Sequence, residues 1–140
     1  MKKKVKKNRT FEQLWQLEQK IFKKDCRSIK KDLKWIYDCR ELLIINDTGY
    51  GVGCPLEKAD RKEIPDKNYG KKNTMYIFSV GIIPEARGKG LGKDLLNKLI
   101  AYSPKSRISL DTTSDVMKKM CIEMGFKQIT ETYFLFIKAT

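Results

Sequence analysis

Residues 87–92 read Arg-Gly-Lys-Gly-Leu-Gly, with Pro84 shortly before and Lys93-Asp94 just after. The apolar run "TMYIFSVGII" (74–83) precedes them. "LGKDLLNKLIAY" follows, with Leu91, Leu95, Leu96, Leu99 and Ile100 at helical spacing. The order is strand, glycine turn, helix. A helix start leaves backbone N–H groups unpaired and carries the positive end of the helix dipole. Glycine has no side chain to screen those amides, and Arg87, Lys89 and Lys93 add formal charge. The chemistry expected is phosphate or pyrophosphate binding; the plainer alternative is a helix entry with ordinary glycine turns.

Two familiar phosphate loops do not fit. A Walker loop needs GxxxxGK[ST], but Gly92-Lys93 is followed by Asp94 and position 87 is arginine. The dinucleotide fingerprint GxGxxG fails because Gly88, Gly90 and Gly92 are followed by Lys93, Asp94 and Leu95. An acidic residue closing a second strand about twenty residues on is also missing, since Ser109-Leu110 precede Asp111.

The chain has 140 residues, enough for one domain with a real core, and 41% of them are apolar. It contains no histidine. Acid–base chemistry must therefore use carboxylates, tyrosine, cysteine, a substrate group or water. The net charge is +13, with 14 Lys+Arg against 5 Asp+Glu in residues 1–40. Such a surface either keeps the protein soluble or draws in an anionic partner, nucleic acid included. Cysteines 26, 39, 54 and 121 show no CxxC spacing, and a zinc site would need all four. They read as reduced thiols of a cytoplasmic protein, with no metal. No apolar h-region follows "MKKKVKK", and no run is long enough to span a membrane.

The elements that must position the glycine run come from periodicity. "KKVKK" reads as a frayed tail or a first strand with Val5 inward. Thr10 and Gln13 form a capping-box pattern that opens a helix carrying Phe11, Leu14, Trp15, Ile21 and Phe22. Asp25 caps a second helix with the stripe Cys26, Ile29, Leu33 and Ile36. "ELLIIND" (41–47) and "YGVGCPLEK" (50–58) form a hairpin, with a bulge or an edge position expected at Pro55. A polar loop or flap (59–73) leads to the 74–83 strand. After the glycine run come a helix, a strand (106–112), a helix that Gly125 stops, and two strands, "FKQIT" and "YFLFIK". The whole chain, 1–140, reads as one mixed α/β domain.

Together these residues resemble the GNAT acetyltransferase superfamily. Its main signature is a strand followed by Arg/Gln-x-x-Gly-x-Gly/Ala at a helix start, here Arg87 to Gly92 after "VGIIPEA". "LDTTSD" and "CIEMGF" (121–126) extend the likeness. The resemblance implies an α/β (α+β) GNAT fold of about four helices on a mixed central sheet. Its parallel strands 4 and 5, here 74–83 and 106–112, would be splayed and the first of them bulged. It implies acetyl-coenzyme A as cofactor and transfer of acetyl to an amine. Ile82, Ile83, Arg87, Gly88, Lys89, Gly90, Leu91, Gly92, Lys93 and Ser114 would hold the cofactor. The family's usual tyrosine proton donor falls on Cys121, a departure, and its usual alanine falls on Met117. Tyr133 or Tyr76 could donate instead, and Asp111 is a candidate base. The central strand has no Asp or Glu, and its Ser79 could only relay protons.

The first two helices and the 59–73 loop would wall the acceptor side. Lys23, Lys24, Arg27, Lys30, Lys31 and Lys34 make that wall basic, with Arg61, Lys62, Lys67, Lys71 and Lys72. It disfavours cationic polyamines and favours an amine on a protein or other acidic macromolecule. A non-catalytic GNAT-like module, or a basic nucleic-acid-binding protein retaining the scaffold, is the alternative. Either would be a monomer or homodimer.

Overall fold

A computed structural model describes residues 2–22, 30–58 and 73–138, with side chains from Thr10 onward. The elements are α1 (Lys2–Ile21), α2 (Lys30–Cys39), β1 (Leu42–Ile45), β2 (Gly49–Pro55), β3 (Thr74–Ile82), α3 (Leu91–Tyr102), β4 (Arg107–Asp111), α4 (Asp115–Glu123), β5 (Lys127–Gln128) and β6 (Tyr133–Ile137). Short 3-10 turns occupy Leu56–Lys58 and Pro84–Ala86.

The chain start departs from expectation. Val5 lies in α1, not in a tail or strand, and Thr10 lies inside that helix rather than capping it. No glycine or proline interrupts residues 2–21, and Lys, Glu, Gln and Leu are strong helix formers, so the helix runs back past the capping-box pattern. The expected Asp25 cap, with Cys26 and Ile29, lies outside the described residues. So does the 59–73 loop up to residue 72.

One six-stranded sheet runs in the order β1-β2-β3-β4-β6-β5. All neighbours are antiparallel except β3 and β4, which are parallel. With no strand at the chain start, these are the third and fourth strands. Two apolar clusters sandwich the sheet. Phe11, Leu14, Leu17 and Ile21 of α1 and Leu33, Ile36 and Tyr37 of α2 pack with Tyr50, Val52 and Cys54 on one face. Leu95, Leu96 and Leu99 of α3 and Cys121 of α4 pack with Met75, Ile77, Ile108, Leu110 and Phe134 on the other.

A bulge interrupts the β2–β3 ladder. Gly53 pairs with Ile77, but Val52 pairs with Ser79, so Phe78 is one extra residue in β3. Below it Met75 and Ile77 face α3. Above it Val80 and Ile82 do, and Ser79 turns toward α1. The β3–β4 ladder also stops there, its last pair being Ile77 and Leu110. The bulge is therefore not at Pro55. β1 begins at Leu42 opposite Gly53, so Pro55 stands where β2 has a neighbour on one side only, an edge position as expected, and its missing N–H costs nothing there.

Two glycines let the helices press onto the sheet. A Cβ on Gly51 would come within 2.4 Å of Leu99 Cδ1, and one on Gly81 within 2.5 Å of Ile21 Cγ2. Leu99 is fully buried, and its Cδ2 and Cγ would also lie within 3.0 and 3.2 Å of that Cβ, so its whole side chain would have to shift. Gly51→Ala should destabilise the fold by about 1–3 kcal/mol through overpacking. A lowered urea midpoint at unchanged m-value checks it.

Candidate functional site

The glycine turn takes the shape its composition allows. Gly88 and Gly90 adopt φ of 83° and 78°, the left-handed region that glycine enters at no steric cost. A Cβ at either would meet nothing within 4 Å, so the outer surface of the turn is open. Gly90 is the N-cap of α3 and supplies no side-chain cap. Asp94 is the first residue to enter the helical ladder, donating its amide to the Gly90 carbonyl at 3.1 Å. The amides of Leu91, Gly92 and Lys93 point out of the helix start. Lys89 and Lys93 stand exposed beside them. An open turn, three outward amides and two cations fit a pyrophosphate.

Arg87 plays a different part from the lysines. Its Nε donates to the Ile82 carbonyl at 2.9 Å and its Nη2 to the Ile21 carbonyl at 2.7 Å. The guanidinium thus ties the turn to the ends of β3 and α1. The Ile83 amide donates to the Thr48 carbonyl at 2.8 Å. Those groups of Ile82 and Ile83 are engaged within the protein. The β3 edge without a β4 partner begins earlier, at Phe78.

The three expected catalytic candidates do not converge. Cys121 is fully buried in the α3-side cluster. Burial pushes its thiol up to about 12. Asp111 pairs with Tyr133 across β4 and β6. Alternation with Ile108, Leu110 and Phe134 puts both on the opposite face from Cys121. Tyr133 is fully buried and Asp111 half-buried. The Ser114 hydroxyl caps α4, accepting from the Met117 amide at 3.2 Å.

A fourth group escaped the sequence reading. Glu18 of α1 is fully buried, and Tyr50 of β2 donates its hydroxyl to Glu18 Oε1. Ser79 Oγ lies 2.8 Å from the Tyr50 hydroxyl and 3.4 Å from Glu18 Oε1. Burial first, then the charge of Glu18, drives the Tyr50 phenol far above its ordinary range, so it stays protonated. The signal was available: Glu18 sits four residues after Leu14 and three before Ile21, inside the apolar stripe of α1.

The thiols yield a direct check on this packing. Cys54 is buried and its thiol is pushed up to about 11, chiefly by burial. Raised thiol values mean almost no thiolate near pH 8. In the native protein iodoacetamide should label half-exposed Cys39 and spare Cys54 and Cys121 until the chain is unfolded. Peptide mapping by mass spectrometry reads the order.

Comparison with known proteins bears on the whole fold. No match was found among curated proteins. The structure resembles NAA60 from Arabidopsis thaliana in complex with a bisubstrate analogue, at 14% identity and TM-score 0.63, covering 91% of this chain and 92% of that one. It also resembles a GNAT family acetyltransferase from Brucella melitensis in complex with acetyl-CoA, at 14% identity and TM-score 0.63, covering 94% and 84%. A third likeness is the GNAT-like decarboxylase GphF in complex with isobutyryl-CoA, at 8% identity and TM-score 0.67, covering 92% and 95%. At these identities the likenesses speak for the fold. The Acetyltransferase (GNAT) family matches residues 11–126, and with the parallel pair whose ladder stops at Ile77 and Leu110 and the glycine turn at α3 this makes the chain a member of the GNAT acetyltransferase family, whose acyl donor is acetyl-coenzyme A.

Proposed function

We propose that the protein is an N-acetyltransferase that moves acetyl from acetyl-coenzyme A to a primary amine on a protein or other acidic macromolecule. The observation that carries this reading is the open glycine turn at the start of α3, set beside a strand that has parted from its parallel neighbour. The amides of Leu91, Gly92 and Lys93, with Gly88, Lys89 and Gly90, would receive the pyrophosphate, and Arg87 would brace the turn from behind. The β3 edge from Phe78 to Gly81 would accept the extended arm, because a strand edge without a ladder partner offers main-chain donors and acceptors; at Ile82 and Ile83 only the groups not already held by Arg87 and Thr48 would be left for it. Ser114 would flank the arm from the start of α4. The cofactor, when bound, supplies an activated acetyl thioester.

The acceptor class rests on charge. A chain of net charge +13 repels polycations, and the exposed Lys30, Lys31 and Lys34 stand on α2. An amine within an acidic stretch suits that surface. One observation favours a second reading, a module that binds acetyl-coenzyme A without transfer. The residue at the family's usual tyrosine position is a buried thiol of raised pKa, which makes it a poor proton donor.

Calorimetry and a release assay separate the two. Titration with acetyl-coenzyme A should give a saturable one-site heat. Gly90→Asp puts a carboxylate against the phosphates and a Cβ at φ 78°, and should weaken binding by ~100-fold or more. Coenzyme A release should then appear with acidic amine-bearing peptides and exceed that with spermine. No heat at millimolar ligand refutes the cofactor assignment, and binding without release under any amine selects the module.

A further inference from the structure

We propose that Glu18, Tyr50 and Ser79 form the acceptor-amine site: a buried carboxylate at the split in the sheet that holds a primary ammonium through the Ser79 hydroxyl and takes its proton. This rests on the transferase reading above and adds the proton acceptor that the central strand lacks.

The geometry starts from the bulge. With regular alternation Ser79 would share the α3 face with Met75 and Ile77. The extra residue Phe78 turns it to the α1 face, where Tyr50 and Glu18 meet it. The same residue marks where β3 leaves β4, so one defect opens the sheet and aims a hydroxyl from the opening toward a carboxylate. Glu18 and Tyr50 are fully buried, whereas Ser79 is half-buried and is the member that reaches the split. A buried carboxylate is costly unless hydrogen bonds compensate it. The Tyr50 hydroxyl does so from a fully buried position, where nothing else in β2 could. Tyr50 thereby orients Glu18 and is a positioning residue. In a chain of net charge +13, this buried negative group at the opening attracts a slim cation, and a primary ammonium can donate to Ser79 where a quaternary one cannot.

The step balances as follows. The ammonium gives one proton to Ser79 Oγ as Ser79 gives its own to Glu18, leaving a neutral amine. Its nitrogen lone pair forms the N–C bond to the thioester carbonyl, and the C–S bond breaks with its electron pair going to sulfur. The second nitrogen proton ends on that thiolate. Glu18 returns its proton to water, so one ammonium and one thioester give one amide, one thiol and one proton.

The test compares the full-length chain with Glu18→Gln, Ser79→Ala and Ser79→Thr. Acetyl-coenzyme A affinity is read by calorimetry, and coenzyme A release is followed with a panel of acidic hexapeptides bearing free α-amines. The infrared carboxylate band absent from Glu18→Gln is followed as propylammonium chloride is added, with tetramethylammonium chloride as control. Glu18→Gln should lower kcat by about 100-fold or more at unchanged cofactor affinity, Ser79→Ala by about 10-fold, and Ser79→Thr should restore the rate. The band should move with propylammonium and not with tetramethylammonium. Turnover of Glu18→Gln within threefold of wild type, or a band that ignores propylammonium, overturns the proposal. If the wild type releases no coenzyme A, the transferase reading falls, while a band that moves still establishes the amine site and a silent one removes it. If Glu18→Gln fails to fold, Ser79→Ala and its threonine rescue decide.

Discussion

One extra residue in β3 sets the arrangement of both cores. Side chains on a strand alternate, so an inserted residue reverses every face beyond it. Phe78 is that residue. Because of it Val80 and Ile82 join Met75 and Ile77 in the α3-side cluster, and Gly81 meets the end of α1 rather than α3. Without the reversal, Val80 and Ile82 would be driven into α1, and the serine would be buried among leucines. The split from β4 begins at the same level, so the opening in the sheet and the continuity of the two cores are a single solution to one geometric problem.

The site is assembled from groups whose backbone roles outweigh their side-chain chemistry. The glycines bring φ values and open amides, Ser114 caps a helix, and Arg87 spends its donors on two carbonyls. The formal charge facing the turn falls to Lys89 and Lys93. Side-chain chemistry concentrates instead on the α1 face, where Glu18, Tyr50 and Ser79 form one hydrogen-bonded group from three elements. The sheet therefore has an α3 side that ends in an open, cationic glycine turn and an α1 side built around a buried acid.

Much of the scaffold was legible because its signals are local. The helix over 91–102, the 74–83 strand and the Gly125 stop follow from periodicity and left-handed glycine, here φ 101° at Gly125. The glycine turn was legible because its register excluded other phosphate loops. The start of α1 was not, since a lysine-rich segment without a breaker carries no boundary of its own. A bulge in the 74–83 strand was implied by the family resemblance and is present, but its place was hidden because residues on both sides of Phe78 are apolar or small, and such a run looks alike in either register. The place of Glu18 in the apolar stripe marks it as unusual, but its partners could not be read locally, since they lie 32 and 61 residues away. Cys121 was found by position, but its burial on the opposite face from Tyr133 and Asp111 depends on how β4 and β6 pair.

The Arg87 guanidinium joins residues 66 apart in sequence through the Ile21 carbonyl. A contact of that separation forms late, after the entropy of closing the intervening chain has been met. The glycine turn can therefore be shaped early by its own φ angles and by the local bond from Arg87 to the Ile82 carbonyl, and its tie to α1 is added when the end of that helix docks. During synthesis the end of α1 leaves the ribosome before β3 and Arg87 do, so it cannot complete that contact until they have followed. A nascent chain that stops short of β3 and Arg87 would hold α1 without the bond that ties its end to the glycine turn.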